Sequence, residues 1–225
     1  MNMDELDYEK SKNYWSNIPA SVNGMLGGFS SLTTKDIKDS DLFLRKLFQM
    51  ENGPSNSRVL DCGAGIGRIT KNLLCKHFKY VDLLEQDEKF LEKAKLNCLG
   101  SNVENFYCSG LQEFTPTDNQ KYDIIWIQWV LGYITDDDLI KFLNKCCKLL
   151  NTNGVIVVKE NISQEEEGEI DSEDSSITRS YIQFCIIFQK ANLICKANRT
   201  QKNFPSELYR VEMFALQPAN EKSNC

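Results

Sequence analysis

Asp61-Cys62-Gly63-Ala64-Gly65-Ile66-Gly67-Arg68 is the run whose residue types and spacing most clearly describe a ligand site. Glycines at alternate positions let a backbone turn sharply and approach a ligand more closely than a Cβ would allow. The apolar run Arg58-Val59-Leu60 leads into this loop, and a helix is expected after it, from Ile69 to Phe78. A strand feeding such a loop and then a helix aims free N–H groups and the positive helix end at a small polar ligand. Glu85 closes the next apolar run, Val81 to Leu84. An acid about 20 positions beyond the glycines is placed to accept hydrogen bonds from a ribose. The pattern is GxGxG opened by an acid, not the GxGxxG of dinucleotide binders. It points to S-adenosylmethionine as the ligand.

The elements that must position these residues follow from the alternation of apolar runs with amphipathic segments, which describes βαβ units and a parallel sheet. Strands are expected at Arg58–Cys62, Val81–Glu85, Asn105–Ser109, Tyr122–Gln128 and Val155–Glu160, with helices at Glu88–Asn97 and Asp136–Leu150. Thr135 is suited to cap the second of these helices, with Asp136, Asp137 and Asp138 in its favourable first turn. Leu139, Phe142, Leu143, Cys146, Leu149 and Leu150 mark its buried face. An acidic stretch, Gln164 to Asp174, precedes an apolar helix expected from about Ser176 to Ala191. Leu193–Arg199 and Tyr209–Leu216 read as an antiparallel pair that closes the sheet. Residues 8–50 read as largely helical, broken at Asn23 to Gly28, and too small to stand alone; they suit a lid over the sheet edge. The whole reads as one domain: an N-terminal helical lid (about 1–50), a core (about 51–217) and a flexible tail (218–225).

Composition narrows the class. A chain of 225 residues supports one substantial core. No apolar run approaches the ~20 residues that span a bilayer, and the acidic, polar start Met1 to Glu5 is unlike a secretory signal. A net charge of −6 fits a nucleic-acid partner poorly and a cationic one better. Nine cysteines with no CxxC pair and a single histidine argue for reduced thiols rather than a metal site. Cys62, Cys75, Cys98, Cys108 and Cys185 lie in apolar contexts and are expected to pack as small hydrophobes.

Ligands of an open parallel sheet sit beyond the C-terminal ends of its strands. The glycine loop, Glu85, Leu111-Gln112 and Gln128-Trp129 each follow a strand end, so all converge on one crevice. Arg68 has the planar fork that suits a methionine carboxylate, and Leu111 and Gln112 are placed to flank an adenine.

Further runs extend the pattern: Tyr14-Trp15, Gly24-Met25-Leu26-Gly27-Gly28, Trp126-Ile127-Gln128-Trp129, Asp174-Ser175-Ser176 and Leu208-Tyr209. With the glycine loop, they make the chain, from about Tyr14 to Leu216, resemble the protein N-terminal methyltransferases, which modify the α-amine of Xaa-Pro-Lys/Arg proteins. The resemblance implies a class I S-adenosylmethionine-dependent methyltransferase fold, α/β with a Rossmann-like seven-stranded sheet, residing in cytoplasm and nucleus. It implies cofactor contacts from Gly63, Gly65, Gly67, Arg68, Glu85, Leu111, Gln112 and Gln128, covered by Trp15, Met25 and Leu26. Trp129 would stack on the substrate proline, and Asn161, just after the fifth strand, would hold the first substrate carbonyl. Asp171, Asp174 and Ser176 would receive the third-position Lys or Arg and the reacting ammonium, with Tyr209 and Tyr14 completing the channel. No metal is implied.

Trp126 is read instead as core, turned opposite to Gln128 by strand alternation, and Glu165, Glu166 and Glu167 as a solvated loop. Two positions depart from the family pattern. Glu85 stands where aspartate is usual, which the longer side chain tolerates. Tyr133 stands where the family has a histidine paired with the aspartate at Asp174, and a tyrosine with its pKa near ~10 is no general base at neutral pH. The expectation is an active enzyme that is slower or more selective than its relatives, with Asp174 as proton acceptor. Two other readings stay open on the sequence: a methyltransferase of the same fold acting on a small amine, and a cofactor-binding partner subunit without catalysis.

Overall fold

A computed structural model of the chain describes residues 6–116 and 120–219. Strands β1 (Arg58–Cys62), β2 (Tyr80–Glu85), β3 (Val103–Cys108), β4 (Tyr122–Gln128), β5 (Leu150–Ile162), β8 (Leu193–Thr200) and β9 (Arg210–Pro218) form one seven-stranded sheet. Its order is β3-β2-β1-β4-β5-β9-β8. The first five strands are parallel, whereas β9 runs antiparallel between β5 and β8. The closing antiparallel pair is therefore present, with the later strand inside the earlier one. A separate hairpin joins β6 (Glu169–Asp171) to β7 (Ser176–Thr178).

Both faces of the sheet are covered, which is why its central strands read as continuous apolar runs. Alternation divides them cleanly. Leu60, Ile125, Ile127, Ile156, Val158 and Phe214 face α6 (Asp136–Leu149) and α7 (Tyr181–Lys190). Val59, Ile124, Trp126, Val155, Val157 and Met213 face α3 (Thr33–Phe48) and the segment after the glycine loop. Helix α5 (Glu88–Asn97) packs Leu91 and Ala94 on Leu83. Thr135 caps α6 by accepting from the Asp138 N–H, as expected, and Ser180 and Gln183 form a capping box on α7.

Several expectations are corrected. The helix after the glycine loop is α4 (Arg68–Asn72) followed by a 3₁₀ turn at Leu74–Lys76, rather than one helix to Phe78. Leu73, at φ −122° and ψ −66°, interrupts it. The apolar segment from Ser176 begins as a strand, and its helix starts only at Tyr181, because Ser176 to Thr178 pair with Glu169 to Asp171. The N-terminal region contains α1 (Tyr8–Asn17) and α2 (Val22–Met25), so Asn23 to Met25 are helical and the breaks fall on either side of them. Trp126 is fully buried, but it shares a face with Gln128. The two are two positions apart in one strand, and the Trp126 indole donates to Gln128 Oε1 at 3.1 Å. Cys108 and Cys185 are exposed rather than packed, while Cys62 and Cys98 are buried. Of the expected tail, Pro218 belongs to β9 and Ala219 donates to the Asn192 carbonyl; residues 220–225 lie outside the described region, as do Met1 to Glu5. No helix among the described residues is long and apolar enough to cross a membrane.

Phe214 contacts Tyr181, Phe184 and Phe188 with ring centroids 5.5, 6.0 and 5.3 Å away and is 1% exposed. Phe214→Ala is expected to lower unfolding stability by about 3–5 kcal/mol in urea titration; a loss below about 1 kcal/mol would show that α7 collapses onto the vacated space.

Candidate active site

A cavity of about 550 Å³ opens at the C-terminal ends of β1 to β4, where the strand order reverses. Its floor is the glycine loop. Gly63 and Gly65 have φ of 65° and 56°. A Cβ on Gly63 would lie 2.6 Å from a Val130 methyl, and one on Gly65 2.7 Å from the Met25 sulfur. Both positions therefore require glycine on conformation and on space. Gly67, at φ 75°, does not line the cavity; it lets the chain pass close to α5, where a Cβ would meet Cys98 and Ala94. Asp61, buried at the loop's start, accepts from the Thr70 hydroxyl at 2.5 Å, and burial pushes its carboxyl up to about 7. Glu85 receives the Gly65 N–H at 2.8 Å on one oxygen and the Asp87 N–H at 2.9 Å on the other. Glu85 lines the cavity, and a carboxylate has acceptor capacity beyond these two bonds, as a ribose diol would need.

At the far wall, Trp129 follows β4 with φ 55°, a left-handed conformation that costs a bulky residue about 1–3 kcal/mol. Buried partners hold the turn. The Trp129 N–H donates to the Lys159 carbonyl at 3.0 Å. One oxygen of Glu160 accepts from both the Val130 and Leu131 N–H groups at 2.9 Å. Arg179, 1% exposed, donates to the Leu131 and Ile134 carbonyls at 2.7 and 2.6 Å and to Asp136 at 2.8 Å. The Trp129 indole N–H is buried without a hydrogen-bond partner among the described residues. Arg68 and Lys159 lie 5.6 and 5.8 Å from its ring.

Beside it, the Tyr133 hydroxyl donates to Asp174 Oδ2 at 2.7 Å, while Asp174 Oδ1 is buried with no hydrogen-bond partner among the described residues. Burial, then the Asp174 charge, holds the Tyr133 hydroxyl far above its usual range, so it stays protonated. Trp15 packs edge-on against Tyr133 at 5.7 Å and against Phe90 at 6.2 Å. Helix α1, which carries Trp15, is strapped across the cavity. Ser11 donates to the Asp174 carbonyl at 2.8 Å, Tyr8 to Asp138 at 2.7 Å, and Lys89 to the Ser16 and Ile18 carbonyls at 2.6 and 2.7 Å.

A sequence profile described as AdoMet dependent proline di-methyltransferase matches residues 3–217. The chain belongs to this family. The N-terminal Xaa-Pro-Lys N-methyltransferase 1 of Homo sapiens is 46% identical over 214 residues, covering 93% of this chain and 95% of that protein. Its counterpart 1-A from Xenopus laevis is 45% identical over the same span. A solved S-adenosylmethionine-dependent methyltransferase from Leishmania major superposes with a TM-score of 0.87 at 40% identity, over 93% of this chain and 82% of that one. Another from Clostridium acetobutylicum, with a TM-score of 0.63 and 16% identity, shares the fold. S-adenosylmethionine is thus the cofactor of the methyltransferase, and the cavity suits it: a close-approach glycine floor, a carboxylate at the second strand end, and an unpaired indole N–H.

The sequence-derived residues of the methyltransferase divide into three groups. Gly63, Gly65, Arg68, Glu85, Leu111, Gln112, Gln128, Trp15, Met25, Trp129 and Tyr133 line the cavity. Tyr14, Asp171 and Asp174 gather beside it: Tyr14 meets Trp15 at 5.7 Å, and burial and then Asp174, Glu173 and Asp171 raise its hydroxyl. Asp171 faces Ser176 across the β6–β7 hairpin, whose turn holds Asp174. Leu26, half-buried, is not in the cavity wall. Asn161 lies within β5 rather than after it, on the face of Lys159 by alternation. Tyr209 immediately precedes β9, 42% exposed, with its hydroxyl against Glu169. Glu165, Glu166 and Glu167 are exposed. His77 pairs with Asp41 at 2.5 Å, away from the cavity. No cluster of three or more potential metal ligands occurs among the described residues.

Sequence reasoning missed Lys159, Asp36, Glu160 and Arg179, all buried and all in contact with the turn or with residues lining the cavity. The available signal was Lys159-Glu160 at the end of the apolar run Val155 to Val158, since buried charges persist only when paired.

Burial pushes the Glu160 carboxyl from about 4.5 to about 7. A raised carboxyl stabilises the fold most below its unfolded pKa and loses that contribution as pH climbs through the folded value. Glu160→Gln keeps an acceptor for both N–H groups and removes the titration. Its melting temperature relative to wild type is expected to rise between pH 5 and 8, on the order of 3 kcal/mol in stability; a pH-independent difference would place the Glu160 pKa at its ordinary value.

Proposed function

We propose that this chain transfers methyl groups from S-adenosylmethionine to the free α-amine of proteins beginning Xaa-Pro-Lys or Xaa-Pro-Arg. The relatives' names supply Xaa-Pro-Lys, and arginine offers the same third-position cation. The observation that carries the assignment to this site is Asp174, whose one oxygen is held by Tyr133 while the other is buried and unpaired beside the cavity.

The cofactor supplies an electrophilic methyl on a sulfonium. The protein must present a neutral amine in line with it, in a site that excludes water. An α-amine has a pKa near ~8, so a useful neutral fraction exists at pH 7. Asp174 Oδ1 accepts an amine N–H and takes the released proton, and the Tyr133 hydroxyl keeps the carboxylate in one orientation. Trp129 offers a flat aromatic face to proline, and Asn161 anchors the first carbonyl. Asp171 and its acidic neighbours receive the third-position cation, with Ser176, Tyr14 and Tyr209 at the channel's edge. Gly63, Gly65, Arg68, Glu85, Leu111, Gln112 and Gln128 form the cofactor's bed, under Trp15 and Met25, while Gly67 lets the loop pack on α5. In this reading the chain is one methyltransferase domain, with the helices of residues 1–50 as a lid over the core at 51–217. Free thiols at Cys108, Cys185 and Cys195 suit a reducing compartment, and we place the enzyme in cytoplasm and nucleus.

Mass spectrometry of a Ser-Pro-Lys peptide incubated with enzyme and cofactor is expected to show added methyl groups, and none on an N-acetylated twin. Cofactor binding with transfer to neither peptide would instead mark the chain as a binding subunit. Asp174→Asn should lower kcat about 10²–10⁴-fold while cofactor affinity is kept. Tyr133→His is expected to add an acidic limb to the pH–rate profile near pH ~6.5; superimposable profiles would remove Tyr133 from the proton path.

A further inference from the structure

Asp36, in the first turn of α3, has no exposed surface and is not part of the cavity wall, yet it touches two residues that are. Its Oδ2 accepts from Arg68 Nη1 at 2.6 Å, and both its oxygens accept from Gln128 Nε2, at 3.1 and 3.2 Å. Oδ1 also receives the Lys159 ammonium. Lys159 spends its remaining donors on Ser40 Oγ at 2.9 Å and Gln201 Oε1 at 2.6 Å, so it has none left for a ligand. Gln128 is pinned at its other end by the Trp126 indole. Arg68 differs: one of its nitrogens is held by Asp36, and the rest of its five-donor fork remains available in the cavity.

Charge points the same way. Two cations, Arg68 and Lys159, share one carboxylate, and the neighbouring Asp39 is committed to Arg199. Burial pushes the Asp61 carboxyl, which also feels Arg68, up to about 7, so it carries only part of a negative charge at neutral pH. A buried excess of positive charge therefore faces the cavity through Arg68, and an anionic ligand group would complete it.

We propose that Asp36 is a positioning residue of the methyl-donor site, holding the Arg68 guanidinium and Gln128 carboxamide in the orientation that receives the donor's α-carboxylate. Donor affinity thereby depends on the docking of α3. The proposal rests on Arg68 being the carboxylate ligand, and the experiment separates the two.

Calorimetry compares S-adenosylmethionine with its decarboxylated analogue on four proteins: wild type, Arg68→Ala, Asp36→Asn and Asp36→Asn/Lys159→Met. The last variant removes the ammonium that Asp36→Asn would leave buried and unpaired, and so guards against failure to fold. The Asp36 variants are expected to bind the full donor about 10-fold more weakly, the effect of one charge-assisted hydrogen bond, and the decarboxylated analogue within about 2-fold of wild type. Equal weakening for both ligands, or none for either, would overturn the positioning role and leave Asp36 a purely structural partner of Lys159. If Arg68→Ala fails to discriminate the ligands, the carboxylate assignment itself falls and takes the proposal with it. Discrimination by Arg68→Ala but not by the Asp36 variants overturns the proposal alone.

Discussion

Lys159 lies in the interior strand β5 with no exposed surface, and an unpaired ammonium there would cost several kcal/mol. The counter-charge comes from Asp36, on a helix more than a hundred residues earlier in the chain. Burial disfavours the charge on Asp36, but Lys159 and Arg68 more than offset this and hold its carboxyl below the ordinary range. This one buried pair obliges α3 to pack on the face of the sheet that carries Trp126, Gln128 and Lys159. It places a rigid, ionised platform directly behind the cavity. Replacing the pair with apolar residues could give an equally stable fold, but it would not orient Arg68.

The Trp129 turn is the second constraint, and it is built on the opposite face of the same strand. Lys159 and Glu160 are adjacent in β5 and therefore point to opposite sides. Lys159 supports Arg68 and Gln128 through Asp36, while Glu160, with Arg179, clamps the backbone of residues 130–134. A tryptophan at positive φ persists because the Trp129, Val130 and Leu131 N–H groups and the Leu131 and Ile134 carbonyls are committed to β5 and Arg179. The clamped turn carries Trp129 at one end and Tyr133 at the other, so the aromatic wall and the hydroxyl on Asp174 move as a unit. Helix α1 closes the arrangement by bonding to the Asp174 carbonyl itself.

Tyr133 changes the chemistry available to this arrangement. A histidine in that place could take a proton near neutral pH, whereas a buried tyrosine beside a carboxylate holds its own. In the proposed mechanism proton acceptance then rests on Asp174 alone, with the Tyr133 hydroxyl orienting its carboxylate. That division of labour follows from one hydrogen bond of 2.7 Å and from the environment that keeps the phenol neutral.

The sheet, the glycine loop, Glu85 and the Thr135 cap of α6 were legible in the sequence because each depends on local rules: apolar periodicity, left-handed glycine and first-turn acids. The errors came where a nonlocal partner outweighs local preference. Ser176 to Thr178 look like the start of an apolar helix until Glu169 to Asp171 offer them a strand to pair with. Tyr209 and Asn161 were misplaced by the one or two residues over which strand ends are set by their neighbours. The family resemblance carried residue roles that spacing alone does not contain. What only the tertiary structure decided is which buried charges meet which partners: Asp36 with Lys159 and Arg68, Glu160 with the Trp129 turn, Arg179 with Asp136 and the carbonyls of Leu131 and Ile134. A buried charge must find its partner in space, and separation along the chain holds no record of that distance.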